Sequence, residues 1–105
     1  RQGRCLELGA GVGVCGMLAA KLGAAVVISD YHPAVLSRLR ANVALNGLES
    51  LASVDRLDWG ATCRSGRHRL VFGADLAFAK QSARLLAETV REHTAPDGVF
   101  LYAHQ

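Results

Sequence analysis

The chain has 105 residues, which is enough for one small domain and no more. Half of the residues are hydrophobic and 20% are charged, a balance that supports a buried core and excludes a disordered chain. The formal net charge of +3 is a mild surplus. Its densest cluster, Arg64, Arg67, His68 and Arg69, has no interleaved aromatics; it reads as a solvated loop, with an acidic-partner contact as the alternative, and no nucleic-acid partner is expected.

Strand-like and helix-like runs alternate along the chain. Cys5 to Leu8 is a short apolar run that stops at glycines and is the first strand. Val14 to Leu22, rich in Ala and Leu, is the first helix, closed by Gly23 as a C-cap. Ala25 to Asp30 is a β-branched second strand ending in an acid. Pro33 suits the first turn of a helix, and Val35, Leu36, Leu39, Val43 and Leu45 recur at near-helical spacing until Asn46-Gly47 ends it. Leu51 to Leu57 is a weaker third strand, residues 60–68 form a polar loop, and Arg69 to Leu76 is the fourth strand. Gln81 to His93 is a third, amphipathic helix with Leu85, Leu86 and Val90 on its apolar face. Pro96-Asp97-Gly98 signals a turn, and Val99 to Ala103 is the fifth strand.

This alternation predicts an α/β fold, a doubly wound parallel sheet with helices on both faces. Right-handed crossovers are satisfied by the spatial order 3-2-1-4-5. The ligand crevice of such a sheet lies at the carboxyl ends of strands 1 and 4, where the winding reverses.

The segment from Glu7 to Gly16 follows the first strand and opens the first helix. Glycine is needed there because it allows positive φ in a tight turn and lets a ligand approach bare main chain. The helix N-terminus adds unpaired N–H groups and a partial positive charge. Asp30 closes the next strand nineteen positions after Gly11, near the spacing of an acid that binds ribose hydroxyls. Two ligands compete for this cradle. Gly11-x-Gly13-x-x-Gly16 matches a dinucleotide fingerprint. However, Glu7 lies two positions before Gly9, and an acid beside the loop suits the ammonium and sulfonium of S-adenosylmethionine and repels a pyrophosphate.

Leu6-Glu-Leu-Gly-Ala-Gly-Val-Gly13, Ile28-Ser-Asp30, Asn42-x-x-x-Asn46, Leu57-Asp-Trp-Gly60 and Gly73-Ala-Asp-Leu-Ala-Phe78 span nearly the whole chain. Together they resemble methyltransferase family 16, the seven-β-strand, S-adenosylmethionine-dependent protein lysine methyltransferases and their relatives. The resemblance implies a Rossmann-like class I methyltransferase fold over residues 1–105. It also implies S-adenosyl-L-methionine as cofactor and a protein substrate, with lysine as the methyl acceptor. By the same resemblance, Gly9, Ala10, Gly11 and Gly13, with Glu7 beside them, hold the methionine moiety. Asp30 binds the ribose hydroxyls, Asp58 and Trp59 flank the adenine, and Ala74 lines the cofactor. Asp75 and Phe78 match the family's Asp-x-x-Tyr/Phe signature beside the transferring methyl. Asp75 is expected to orient the incoming nitrogen, and Phe78 to wall the channel.

Two family features have no counterpart in the sequence: an aromatic segment ahead of strand one, and the hairpin of strands 6 and 7. The chain also starts without methionine and begins and stops on strand-like runs, so it reads as a fragment of a longer domain. Cys5, Cys15 and Cys63 are odd in number and lack metal-type spacing, so no metal site is expected. Cys5 and Cys15 fall in apolar runs and read as small buried hydrophobes. His32, His68, His93 and His104 are dispersed and read as surface or capping residues. Residues 1–5 contain no signal-peptide core, and no run is long enough to cross a bilayer as a helix, so a cytoplasmic (or nuclear) protein with no membrane partner is expected. Two other functions stay open. One is a NAD(P)-binding oxidoreductase, against which Glu7, Trp59 and the lack of a Tyr-x-x-x-Lys pair count. The other is a non-catalytic, truncated methyltransferase-like module.

Overall fold

The computed structural model describes residues 4–11, 13–61, 66–74 and 80–103, the side chains of 80–82 and 103 excepted. Five strands, β1 (Cys5–Glu7), β2 (Val26–Asp30), β3 (Ala52–Arg56), β4 (His68–Ala74) and β5 (Thr94–Ala103), alternate with three helices, α1 (Val14–Lys21), α2 (Pro33–Leu45) and α3 (Lys80–His93). The strands form one sheet in the order β3-β2-β1-β4-β5, and every neighbouring pair is parallel. This is the expected doubly wound arrangement. The chain winds outward from β1 through β2 to β3, then returns to β4 on the other side of β1, which leaves a crevice between the β1 and β4 ends.

Alternation along the strands divides the core in two. Cys5, Val26, Ile28 and Ala52 pack against Leu36, Leu39 and Val43 of α2 and Ala20 of α1. Leu6, Leu8, Val27 and Val71 face the other way, against Leu57 and Leu86, with Trp59, Val90 and Phe100 packed on that cluster. β2 is buried along its whole length, as a central parallel strand should be.

Helices α1 and α2 end alike. In each, a glycine in the left-handed region follows the C-cap, Gly23 at φ 99° and Gly47 at φ 66°. The Gly23 and Ala24 amides donate to Ala20 and Ala19, and the Gly47 and Leu48 amides to Ala44 and Val43. Both are Schellman closures, which the two glycines announced in the sequence. At its start, α2 has Pro33 in its first turn, and the His32 ring accepts from the Ala34 amide at 3.2 Å.

Four expectations need correction. β4 begins at His68, one residue before the expected start, and is described as far as Ala74, while residues 75 and 76 lie outside the described residues. Within the basic cluster, Arg67 donates to the Thr94 carbonyl and Arg69 pairs with Asp97, which ties the β4 entry to β5. Pro96-Asp97-Gly98 does not precede β5 but interrupts it: His68 pairs with Thr94, and the next partners are Leu70 and Val99. The extra residues form a bulge, where a proline lacking a donor is tolerated. Gly98 is needed there, because a Cβ would stand 2.8 Å from the Arg69 carbonyl oxygen.

The other two concern burial. Cys15 is exposed, because α1 turns Gly16 and Ala20 toward the sheet. His68 and His93 are fully buried at the amino ends of β4 and β5, where β4 and α3 meet. The exposed face of α1 carries Val14, Leu18 and Leu22. Among the described residues no helix is long and apolar enough to cross a membrane.

Candidate functional site

The glycine loop between β1 and α1 is built on left-handed backbone: Gly9 has φ 58°, Gly11 φ 59° and Gly13 φ 80°. The Ala10 amide donates to the Ser29 carbonyl and the Gly13 amide to the Ala10 carbonyl, which fastens the loop to β2 and closes its turn. Ala10 packs against the core on the α1 and α2 side. The glycines do different work. A Cβ on Gly11 would meet nothing within 4 Å, so its outer face is open. A Cβ on Gly13 would stand 2.6 Å from Leu39 Cδ2, and one on Gly16 2.5 Å from Glu7 Oε1 and 2.8 Å from Ile28 Cγ1. Gly16 therefore allows α1 to settle on the sheet and Gly13 lets the loop approach α2, while Gly11 leaves main chain bare on its outer face.

Two buried acids flank this loop. Glu7 Oε1 accepts the Gly16 amide at 3.1 Å, inside the first turn of α1. The Ser29 hydroxyl donates to the Glu7 carbonyl at 2.6 Å and locks β1 to β2 at this level. Burial pushes the Glu7 carboxyl up to about 7; the Gly16 N–H opposes this, and the charge of Asp30 adds to it. Asp30 reaches across from the end of β2. Its Oδ1 accepts from the Tyr31 amide at 2.8 Å and the His32 amide at 3.1 Å, and its Oδ2 accepts from the Gly11 amide at 3.2 Å. The carboxylate is thus aimed at the glycine loop, at the carboxyl edge of the sheet.

The turn after β3 lies beside Asp30, since the Leu57 amide donates to the Asp30 carbonyl at 3.0 Å. Asp58 is exposed and faces Arg56 at 3.4 Å through both carboxylate oxygens. Trp59 is half-buried against the α3-side core. The Gly60 amide donates to the Thr89 hydroxyl at 2.8 Å, which pins the turn to α3. Nothing local in the sequence signals this clasp, because its halves lie 29 positions apart.

Ala74 ends β4 at the same edge of the sheet. It lines an open apolar cavity of about 490 Å³ between α1, β4 and β5, with Cys5, Cys15, Phe72 and Leu101 among its walls. Asp75 and Phe78 lie outside the described residues. The structure thus brings Glu7, Gly9, Ala10, Gly11, Gly13 and Asp30 together, sets Asp58 and Trp59 on the neighbouring turn, and puts Ala74 on the far side of β1. Among the described residues no cluster of three His, Cys, Asp or Glu side chains is placed to hold a metal ion.

A bare glycine turn, a helix N-terminus and an acid at the end of the neighbouring strand, beside the β1/β4 switch point, are the layout of nucleotide-binding α/β folds. Comparison with known proteins narrows the class. The family model described as lysine methyltransferase matches residues 1–105, and the chain belongs to that family. It is 38% identical over 104 residues to protein N-lysine methyltransferase METTL21A of Danio rerio, covering 93% of this chain and 47% of that protein. It is 36% identical over 103 residues to EEF1A lysine methyltransferase 3 of Mus musculus, covering 95% of this chain and 44% of that protein. Among solved structures, the glycopeptide N-methyltransferase MtfA complexed with S-adenosyl-L-methionine superposes with a TM-score of 0.84 at 27% identity, over 94% of this chain and 43% of that one. The sheet is that of a class I methyltransferase. The chain spans about half the length of the curated relatives it matches.

Proposed function

We propose that this chain forms the S-adenosylmethionine-binding core of an enzyme that methylates lysine side chains of proteins. The observation that carries the reading is the pair of buried acids around an open glycine turn. Glu7 lies beneath the turn, Asp30 spans from β2 to the Gly11 amide, and the outer face of Gly11 is clear. A cationic adenosyl ligand fits such a rim. A pyrophosphate would meet two carboxylates, which counts against the dinucleotide alternative. Membership of the lysine methyltransferase family and the named activities of its relatives support the same choice.

In this reading the main chain of Gly9, Ala10, Gly11 and Gly13 holds the methionyl end of the cofactor, with the Glu7 charge below it. Asp30 takes the ribose hydroxyls, Asp58 and Trp59 the adenine, and Ala74 the ribose–methionine junction. When bound, the cofactor supplies a methyl group activated on a sulfonium. What remains for the protein is to hold a neutral lysine nitrogen in line and exclude water, so proximity and desolvation carry the rate and no catalytic triad is required. Asp75 and Phe78, following β4, are assigned to orienting that nitrogen and walling its channel. A cytoplasmic site of action belongs to the same reading.

Titration calorimetry with S-adenosylmethionine and with NAD in parallel tests the ligand. Saturable binding of the first alone is expected, and saturation by NAD alone would overturn the proposal. Incubation with methyl-labelled cofactor and cell extract tests the acceptor, with label expected on protein lysine. Cofactor binding without any labelled protein would favour the non-catalytic module.

A further inference from the structure

We propose that Thr89 is a positioning residue for the adenosyl site, its hydroxyl fixing the Asp58-Trp59-Gly60 turn against α3 so that Trp59 presents a set wall to the adenine. The inference rests on the adenosyl reading above.

Thr89 stands inside α3 and is fully buried, at a position where threonine has no helical advantage over alanine or leucine. Its hydroxyl is used twice. It donates to the Leu85 carbonyl one turn back at 2.8 Å, which orients the oxygen to accept the Gly60 amide, also at 2.8 Å. That amide belongs to a turn outside any strand, so no ladder bond replaces the hydroxyl if it is removed. The turn also sits close. Gly60 has φ 97°, and a Cβ there would stand 3.1 Å from Leu85 Cδ2, so the same helical rung that supplies the hydroxyl limits how near the turn can come. A second bond, from the Ala61 amide to the Asp58 carbonyl at 2.9 Å, closes the turn on itself, so it moves as one piece. Trp59, next to Gly60, packs on the cluster that includes Leu86 and Val90 of α3.

The hydroxyl is thus a polar fastening between this turn and α3, set beside the packing of Trp59 on the α3-side cluster. Thr89 touches no ligand. Its effect falls on adenosyl affinity, through where Trp59 stands.

Trp59 is the one tryptophan in the sequence, so emission excited selectively from tryptophan reports on this turn. The test compares the wild-type chain with Thr89→Val, which keeps the shape and loses the hydroxyl, and with Thr89→Ser, which keeps the hydroxyl. Each is titrated with S-adenosylhomocysteine while Trp59 emission is followed, and folding is checked by far-ultraviolet circular dichroism. Thr89→Val should shift the ligand-free emission maximum and weaken affinity about tenfold, the effect of one hydrogen bond whose donor is left unpaired. Thr89→Ser should restore both. If the valine variant does not fold, Thr89→Ala, which cannot overpack, takes its place.

Wild-type emission and affinity in the folded valine or alanine variant would overturn the inference. So would a serine variant as impaired as valine, since the methyl group would then be what matters. If wild type and variants alike fail to bind, the adenosyl reading falls, and the positioning role with it.

Discussion

Glu7 and Gly16 occupy a single niche: the carboxylate oxygen that accepts the Gly16 amide at 3.1 Å lies 2.5 Å from where a Cβ on that glycine would be. The acid ends β1 and the glycine sits in the first turn of α1, so the fit fixes how the helix meets the sheet. Gly16→Ala must displace Glu7 and Ile28 together and should cost roughly 1–3 kcal/mol of stability, as overpacking does. Gly11→Ala makes the contrast. It meets no atom within 4 Å but carries φ 59°, so it should cost about 1–2 kcal/mol. Its larger effect should fall on cofactor affinity, where the new methyl stands in the ligand's path. Urea unfolding and calorimetry on the two variants separate these effects.

Glu7 should make cofactor binding depend on pH. Its carboxyl is raised to about 7 from 4.5, so the folded chain without ligand holds a proton that the unfolded chain releases. From this group, stability therefore falls as pH rises from 4.5 to 7. A cationic ligand favours the carboxylate, so its binding should release a proton and tighten as pH rises through 7. Glu7→Gln should remove that dependence, weaken binding at pH 8, and leave the chain no less stable at pH 7. Calorimetry in buffers of different ionisation enthalpy would count the proton, and equal affinity of wild type at pH 6 and pH 8 would contradict the linkage.

Asp30→Asn keeps one acceptor and loses the charge, whereas Asp30→Ala unties Gly11, Tyr31 and His32 at once. The alanine variant should lose roughly 1–3 kcal/mol of cofactor affinity, with asparagine between it and wild type. An unchanged dissociation constant in both would remove Asp30 from the site.

At the opposite end of the sheet, His68 works in the reverse sense to Glu7. Burial lowers its ring to about 4, helped by the charge of Arg4 and opposed by the nearby polar main chain of His93. The unfolded ring protonates near 6.5, so this contribution to stability is complete above 6.5 and drains away as pH falls toward 4, by roughly 2–3 kcal/mol in all. Between pH 4.5 and 6.5 the two groups offset one another. Thermal melts across that window should slope downward with rising pH in His68→Leu, and upward in Glu7→Gln. Parallel curves would show that neither group titrates as described.

The order of the strands was legible because each helix and strand of an α/β unit carries its own periodicity, and because Gly23 and Gly47 stand where left-handed C-caps need them. The glycine turn was legible for the same backbone reason. Where contacts are distant, the sequence was silent. The Pro96-Asp97-Gly98 bulge looks locally like any other turn, and only pairing with β4 makes it part of β5. Burial of His68 and His93, and exposure of Cys15, follow from which face of an element meets the sheet, and a short apolar run does not specify that. Thr89 had no signature at all, since its partner is Gly60, two elements back.

The Asp30 carboxylate is already employed in the ligand-free chain, since three main-chain amides converge on its two oxygens. A diol arriving there enters by exchange: for each hydroxyl that donates to this acid, some share of an amide's bond is surrendered. The acid thus keeps the loop in receptive shape before any guest arrives, and the net enthalpy of the ribose contact should be small. Discrimination at this position then comes from geometry, because a guest unable to make up for the amide bonds it loosens loses the enthalpy of the exchange.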